Sequence, residues 1–123
     1  MSLGLYLHIP YCFSKCRYCD FYPAPGQRGV PRAYVDALLR ELSRFAPDAP
    51  LRPDTLYFGG GTPSLLDPAD AARLIAAAQP LPGAEITLEA NPETVTEDSL
   101  RAFREAGVNR ISFGVQSARD SQL

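Results

Sequence analysis

The chain has 123 residues, 46 % of them hydrophobic and 21 % charged, enough apolar material for a core and too much for composition-driven disorder. Its 12 basic and 14 acidic residues leave a net charge of −2, which removes the electrostatic case for a nucleic-acid partner or an anionic membrane surface. The opening MSLGLYLHIPYC lacks the basic and long apolar regions of a signal peptide, and the chain contains no apolar run that would form an integral membrane segment, so it reads as cytoplasmic.

In chain order, residues 4–9, GLYLHI, alternate apolar and polar and predict a strand. A cysteine-rich stretch and the Pro/Gly loop PAPGQRGVP follow. Residues 31–45 predict a helix, with Pro31 in its first turn and Tyr34, Leu38, Leu42 and Phe45 at helical spacing. Residues 54–58, DTLYF, predict a second strand that runs into GGGTP. Asp67 and Pro68 form an N-cap and first-turn pair for a helix through DPADAARLIAAAQ. Residues 85–90, EITLEA, predict a third strand. Thr96 caps a helix through TEDSLRAFREA that Gly107 closes, and residues 110–116, RISFGVQ, predict a fourth strand.

This βαβαβαβ order predicts an α/β fold with a parallel sheet and right-handed crossovers, forming the N-terminal part of a partial TIM-type barrel. Four parallel strands ending soon after the last would leave exposed edges. Residues 1–123 are therefore expected to be the N-terminal portion of a larger core domain, with the remainder of the barrel and a C-terminal region lying beyond.

Parallel strands buried on both faces are usually apolar throughout. Here Leu5, Leu7 and Ile9 alternate with Tyr6 and His8; Ile86, Leu88 and Ala90 with Thr87, Glu89 and Asn91; Ile111, Phe113 and Val115 with Ser112, Gly114 and Gln116. The apolar series suits contact with helices. The polar series then converges on the opposite face, the lumen of a barrel, and suggests a ligand there.

Cys12, Cys16 and Cys19 give C-x3-C-x2-C at the C-terminal end of the first strand, the end at which parallel barrels build their sites. In a reducing compartment such a cluster favours metal chemistry over disulfides. A [4Fe–4S] cube offers four irons to outer ligands, so three thiolates leave one iron open to a non-protein ligand. Zinc is the alternative, with water or His8 as fourth ligand, although His8 lies only four residues before Cys12. A trio of buried cysteines is the bland reading. The run Gly59-Gly60-Gly61-Thr62 lets the backbone approach a ligand closely and offer it N–H and C=O groups, or simply makes a tight turn; it lacks the order of a P-loop.

The segments LHIPYC, YCDF, YFGGGTPSLL, LEANPETV and GVNRISFGVQS occur in this order and cover essentially the whole chain. Together they resemble the radical S-adenosylmethionine (SAM) superfamily, and within it the group that holds oxygen-independent coproporphyrinogen III oxidase and its haem-chaperone relative. The resemblance implies that Cys12, Cys16 and Cys19 ligate a [4Fe–4S] cluster whose open iron binds SAM. It implies SAM contacts at Tyr6, Tyr18, Gly60, Gly61, Thr62, Glu89 and Gln116. Gly61, Thr62 and Gln116 fall where some relatives hold a second SAM. Tyr6 and Glu89 also lie on the polar strand face; a structural role for Glu89 is the other reading. His8 is expected to support the cysteine loop or lumen through hydrogen bonds and not as a ligand.

Implied partners are SAM, haem or a porphyrinogen, an electron donor protein and a haem acceptor protein. The oxidases resemble C-x3-C-x2-C-x-C, whereas Phe21 stands at the last of those positions here. That departure points to the haem-chaperone type, with oxidative decarboxylation of coproporphyrinogen III propionates as the alternative. A small zinc-binding interaction module is the alternative of another class.

Overall fold

The computed structural model describes residues 2–11, 29–45 and 48–113. Three cysteines, Lys15, Arg17, Tyr18, Phe21, Gln116 and the last three positions of the expected fourth strand lie outside the described residues.

Four strands, β1 (Gly4–Ile9), β2 (Thr55–Gly60), β3 (Glu85–Ala90) and β4 (Arg110–Phe113), alternate with three helices, α1 (Arg32–Phe45), α2 (Pro68–Ala78) and α3 (Glu97–Ala106). The sheet is parallel throughout, in the order β1-β2-β3-β4. Strand order advances one way across the sheet, and under the usual right-handed crossover rule this puts the helices on one face, where α1 packs on α2 and α2 on α3. The element sequence thus matches the expected βαβαβαβ, and β2 extends two residues further, into the glycine run.

The helix-facing side of the sheet is the core. Ile9, Leu56, Phe58 and Leu88 are fully buried from the strands, and Val35, Leu74 and Phe103 meet them from the helices. Each such side chain contributes roughly 1.5–3 kcal/mol by leaving water. Local signals fix where helices begin and end. The Asp67 carboxylate accepts the Ala69 N–H at 2.9 Å, with Pro68 in the first turn. Thr96 and Ser99 form a reciprocal capping box, and Gly107 ends α3 at φ 124°, which disfavours any residue with a Cβ.

Polar groups then tie the layers. Asp70, 3 % exposed, meets Arg73 at 3.1 Å and Arg32 at 3.8 Å, while Arg73 reaches across to Asp36 on α1 at 3.0 Å. Asn109, just before β4, accepts the Ile86 N–H at 2.8 Å and donates to the Ala84 carbonyl at 2.9 Å. One side chain thereby replaces the ladder bonds missing where β3 precedes β4.

Candidate functional site

The side of the sheet away from the helices carries a polar and aromatic row. Tyr6 pairs in register with Tyr57, Tyr57 with Thr87, and Glu89 with Ser112. The Tyr6 and Tyr57 rings stack at 5.7 Å with planes 11° apart, and His8 stacks beside Tyr6 at 6.2 Å. Tyr6 is 56 % exposed, so its ring is presented to whatever occupies this face. Thr87 is covered, with an Arg110 guanidinium N–H 3.5 Å from its hydroxyl.

At the C-terminal end of β2 each glycine is closely approached by a residue of the chain from Tyr6 to Tyr11. A Cβ on Gly59 would lie 2.5 Å from the Tyr6 hydroxyl. One on Gly60, whose φ is 125°, would lie 2.8 Å from His8 Nδ1 and from the Ile9 carbonyl oxygen. One on Gly61 would lie 2.6 Å from the Tyr11 carbonyl oxygen. The run is therefore a close-approach surface between β2 and the chain leaving β1.

Its N–H groups are committed within the chain. Gly60 N–H donates to Glu89 Oε1 at 3.1 Å, Gly61 N–H to the Ile9 carbonyl at 2.8 Å, and Thr62 N–H to the Tyr11 carbonyl at 2.6 Å. Backbone donors near the core must find partners, and these find them within the protein. The clasp fixes Tyr11, the residue directly before Cys12. From behind, the Tyr34 hydroxyl donates to the His8 carbonyl at 2.6 Å, and its ring meets Tyr11 edge-on at 5.4 Å. Burial, and then the neighbouring Tyr11, hold the Tyr34 hydroxyl above the ordinary tyrosine pKa.

Among the described residues Glu89 has no basic partner. Its Oε2 accepts the Tyr57 hydroxyl at 2.7 Å and its Oε1 the Gly60 N–H. Two bonds leave a carboxylate with unused acceptor capacity. The hydrogen bond to Glu89, followed by burial, raises the Tyr57 pKa, against an opposing hydrogen bond from Ser112. The turns after β2 and β3 are also joined. Ser64 and Thr94 hydroxyls share a 2.5 Å hydrogen bond, Thr94 donates to the Asn91 carbonyl at 2.8 Å, and the Asn91 side chain caps the turn Pro92–Thr94.

Of the residues expected at the site, Tyr6, Gly60, Gly61, Thr62 and Glu89 converge at this end of the sheet. Cys12, Cys16, Cys19, Tyr18 and Gln116 lie outside the described residues. Among the described residues no group of His, Cys, Asp or Glu forms a metal site. Sequence reading passed over Tyr57 and Tyr34. Tyr57 was discoverable from the alternation of β2, which puts it on the face of Tyr6; Tyr34 read as one more apolar helix position.

The donor set and the clasp fit an iron–sulfur cluster beside an amino-acid-bearing ligand. Three cysteines, whose thiolates would be soft ligands, follow Tyr11 at positions 12, 16 and 19. The same sheet end holds an exposed aromatic ring, a carboxylate with spare acceptor capacity, and backbone stripped of Cβ atoms.

Four parallel strands alternating with helices are a partial fold of the radical SAM class. The family model for the radical SAM superfamily matches residues 6–123, and the chain belongs to that superfamily. It is 46 % identical to "Heme chaperone HemW" of Escherichia coli (strain K12), over 98 % of this chain and 34 % of that protein. It is 39 % identical to "Oxygen-independent coproporphyrinogen III oxidase" of Bradyrhizobium diazoefficiens, over 94 % of this chain and 27 % of that protein. The solved coproporphyrinogen III oxidase (HemN) of Escherichia coli superposes with a TM-score of 0.74 at 36 % identity, over 93 % of this chain and 28 % of the oxidase. The chain thus spans about a third or less of the length of these relatives.

Proposed function

We infer that this chain is the N-terminal portion of the core domain of a radical SAM protein of the haem-chaperone type. The observation that carries the reading is the clasp of Tyr11 onto Gly61 and Thr62, which starts the C-x3-C-x2-C stretch beside Tyr6 and Glu89. In this reading Cys12, Cys16 and Cys19 hold a [4Fe–4S] cluster. Tyr6, Tyr18, Gly60, Gly61, Thr62, Glu89 and Gln116 contact SAM. When bound, cluster and SAM together supply a carbon-centred radical by one-electron cleavage of the sulfonium.

The chain's own groups bind and orient. The Tyr6 ring offers a flat apolar surface. Glu89, held by Tyr57 and Gly60, accepts hydrogen bonds from a ligand's ammonium or ribose hydroxyls.

The haem-chaperone branch is favoured by Phe21, which stands where the oxidases resemble a further cysteine, and by the relative named a heme chaperone. Haem, an electron donor protein and a haem acceptor protein are the partners this implies, in a cytoplasmic setting. Among the described residues no helix is long and apolar enough to cross a membrane. The likeness to the solved oxidase supports coproporphyrinogen III decarboxylation as a second reading.

Anaerobic reconstitution of the full-length protein with iron and sulfide tests the class. A broad absorption near the violet end that changes on adding SAM is expected; zinc uptake without that band would overturn the reading. Haem titration against a coproporphyrinogen assay then separates carrier from oxidase.

A further inference from the structure

We propose that Tyr57 is a positioning residue that couples the two SAM contacts Tyr6 and Glu89, a role that rests on the SAM-binding reading above. The geometry is two-sided. The Tyr57 ring is the surface on which Tyr6 stacks, at 5.7 Å and 11°, and Tyr6 is half exposed, so this stack restrains a ring that solvent would leave mobile. The Tyr57 hydroxyl bonds Glu89 Oε2 at 2.7 Å, a charge-assisted bond in the short range for O–H···O⁻.

The reach is diagonal. Tyr57 is in register with Thr87, and its hydroxyl extends past it to Glu89, toward the strand ends where the cysteine stretch begins. With Gly60 N–H on Oε1, both carboxylate oxygens are oriented from β2, so β2 sets the rotamer of a β3 side chain. The hydrogen bond to Glu89 is also the largest cause of the raised Tyr57 pKa, which keeps the hydroxyl protonated as the donor. Structural support alone would not require this row. Tyr57 belongs to the open face and not to the buried core, and its hydroxyl satisfies a carboxylate that would otherwise be solvated.

The test is SAM affinity by calorimetry on the full-length, cluster-loaded protein for Tyr57→Phe, Glu89→Gln and the double variant, with iron content and thermal midpoint measured for each. Tyr57→Phe keeps the ring and removes only the donor. A SAM Kd weakened by about threefold or more, the low end of what one net hydrogen bond contributes, is expected at unchanged iron content. The same Tyr57→Phe change in the Glu89→Gln background is expected to have much less effect, because the charged acceptor that strengthens the bond is gone. A second variant, Tyr57→Leu, removes the stack as well and is expected to weaken SAM further than Tyr57→Phe.

A Kd for Tyr57→Phe within about threefold of wild type, or an equal loss in both backgrounds, overturns the proposal while wild-type SAM binding leaves the functional reading standing. A wild-type protein that carries its cluster and binds no SAM overturns both.

Discussion

Substituting Gly61 with Ala tests whether the glycine run is a close-approach surface. The added Cβ would sit 2.6 Å from the Tyr11 carbonyl oxygen, 3.0 Å from its carbon and 3.1 Å from its nitrogen. Carbon–oxygen contacts settle at about 3.3 Å or more, so the Tyr11 backbone must retreat by about 0.7 Å. The obstacle is backbone, and no side-chain rotation relieves it. The retreat stretches two hydrogen bonds, Gly61 N–H to Ile9 at 2.8 Å and Thr62 N–H to Tyr11 at 2.6 Å. At ~0.5–1.5 kcal/mol each, the loss is ~1–3 kcal/mol. With a urea m-value of ~2 kcal/mol/M, the unfolding midpoint falls by about 1 M. Gly29→Ala is the control, since a Cβ there meets its nearest neighbour at an ordinary 3.7 Å. Urea unfolding of the full-length apoprotein gives the comparison. Because Tyr11 precedes Cys12, Gly61→Ala should also lower iron uptake on reconstitution. Equal midpoints for the two variants would refute the reasoning.

Gly59→Ala should behave differently, because the atoms it meets are the far ends of the Tyr6 and Tyr57 side chains. Its midpoint should stay near wild type while SAM affinity falls as Tyr6 swings away; lost stability with full affinity would contradict this. Tyr34→Phe should cost about 1 kcal/mol by removing the bond to the His8 carbonyl. The Tyr34 pKa is raised above 10.0, so its contribution is fully present below that value and lost as pH rises through the folded one. Wild type should therefore lose stability in alkaline urea titrations by a component that Tyr34→Phe lacks. Asp70→Asn should cost ~1–3 kcal/mol, less than the 3–5 of a fully buried pair because the Arg73 side chain is 42 % exposed. A midpoint unchanged from wild type would show that the buried carboxylate needs neither arginine.

What the sequence disclosed follows how local each determinant is. Strand alternation, the Asp67–Pro68 start of α2 and the Gly107 stop of α3 are set by residues a few positions apart, and all three were legible. So was the split of each strand into an apolar and a polar face, since period two alone sorts the side chains. The partners within the polar face were not. Glu89 was expected to contact a ligand or to have a structural role; among the described residues its partners are a tyrosine hydroxyl and a glycine N–H on the neighbouring strand. Neither pairing follows from spacing, because both depend on the register of β2 against β3. Tyr34 shows the same limit. Its position in the helical repeat predicts contact with the core, whereas its hydroxyl reaches β1 from a helix 26 residues later in the chain.

The three glycines also differ in what they restrain. Gly59 makes room for a side chain, Gly60 for a side chain and a carbonyl at a φ open to glycine, and Gly61 for backbone alone. Along the run the constraint passes from the Tyr6 ring, through the anchor of Glu89, to the residue before the first cysteine. A single strand end therefore sets the positions of a ring, a carboxylate and Tyr11, the residue before the cysteine stretch. Each is met by a different atom of the run: the missing Cβ of Gly59, the N–H of Gly60, and the N–H groups of Gly61 and Thr62. That division of contacts is what makes GGGT in YFGGGTPSLL more than a turn. A turn needs one permissive residue at a positive φ, and Gly60 alone would supply it.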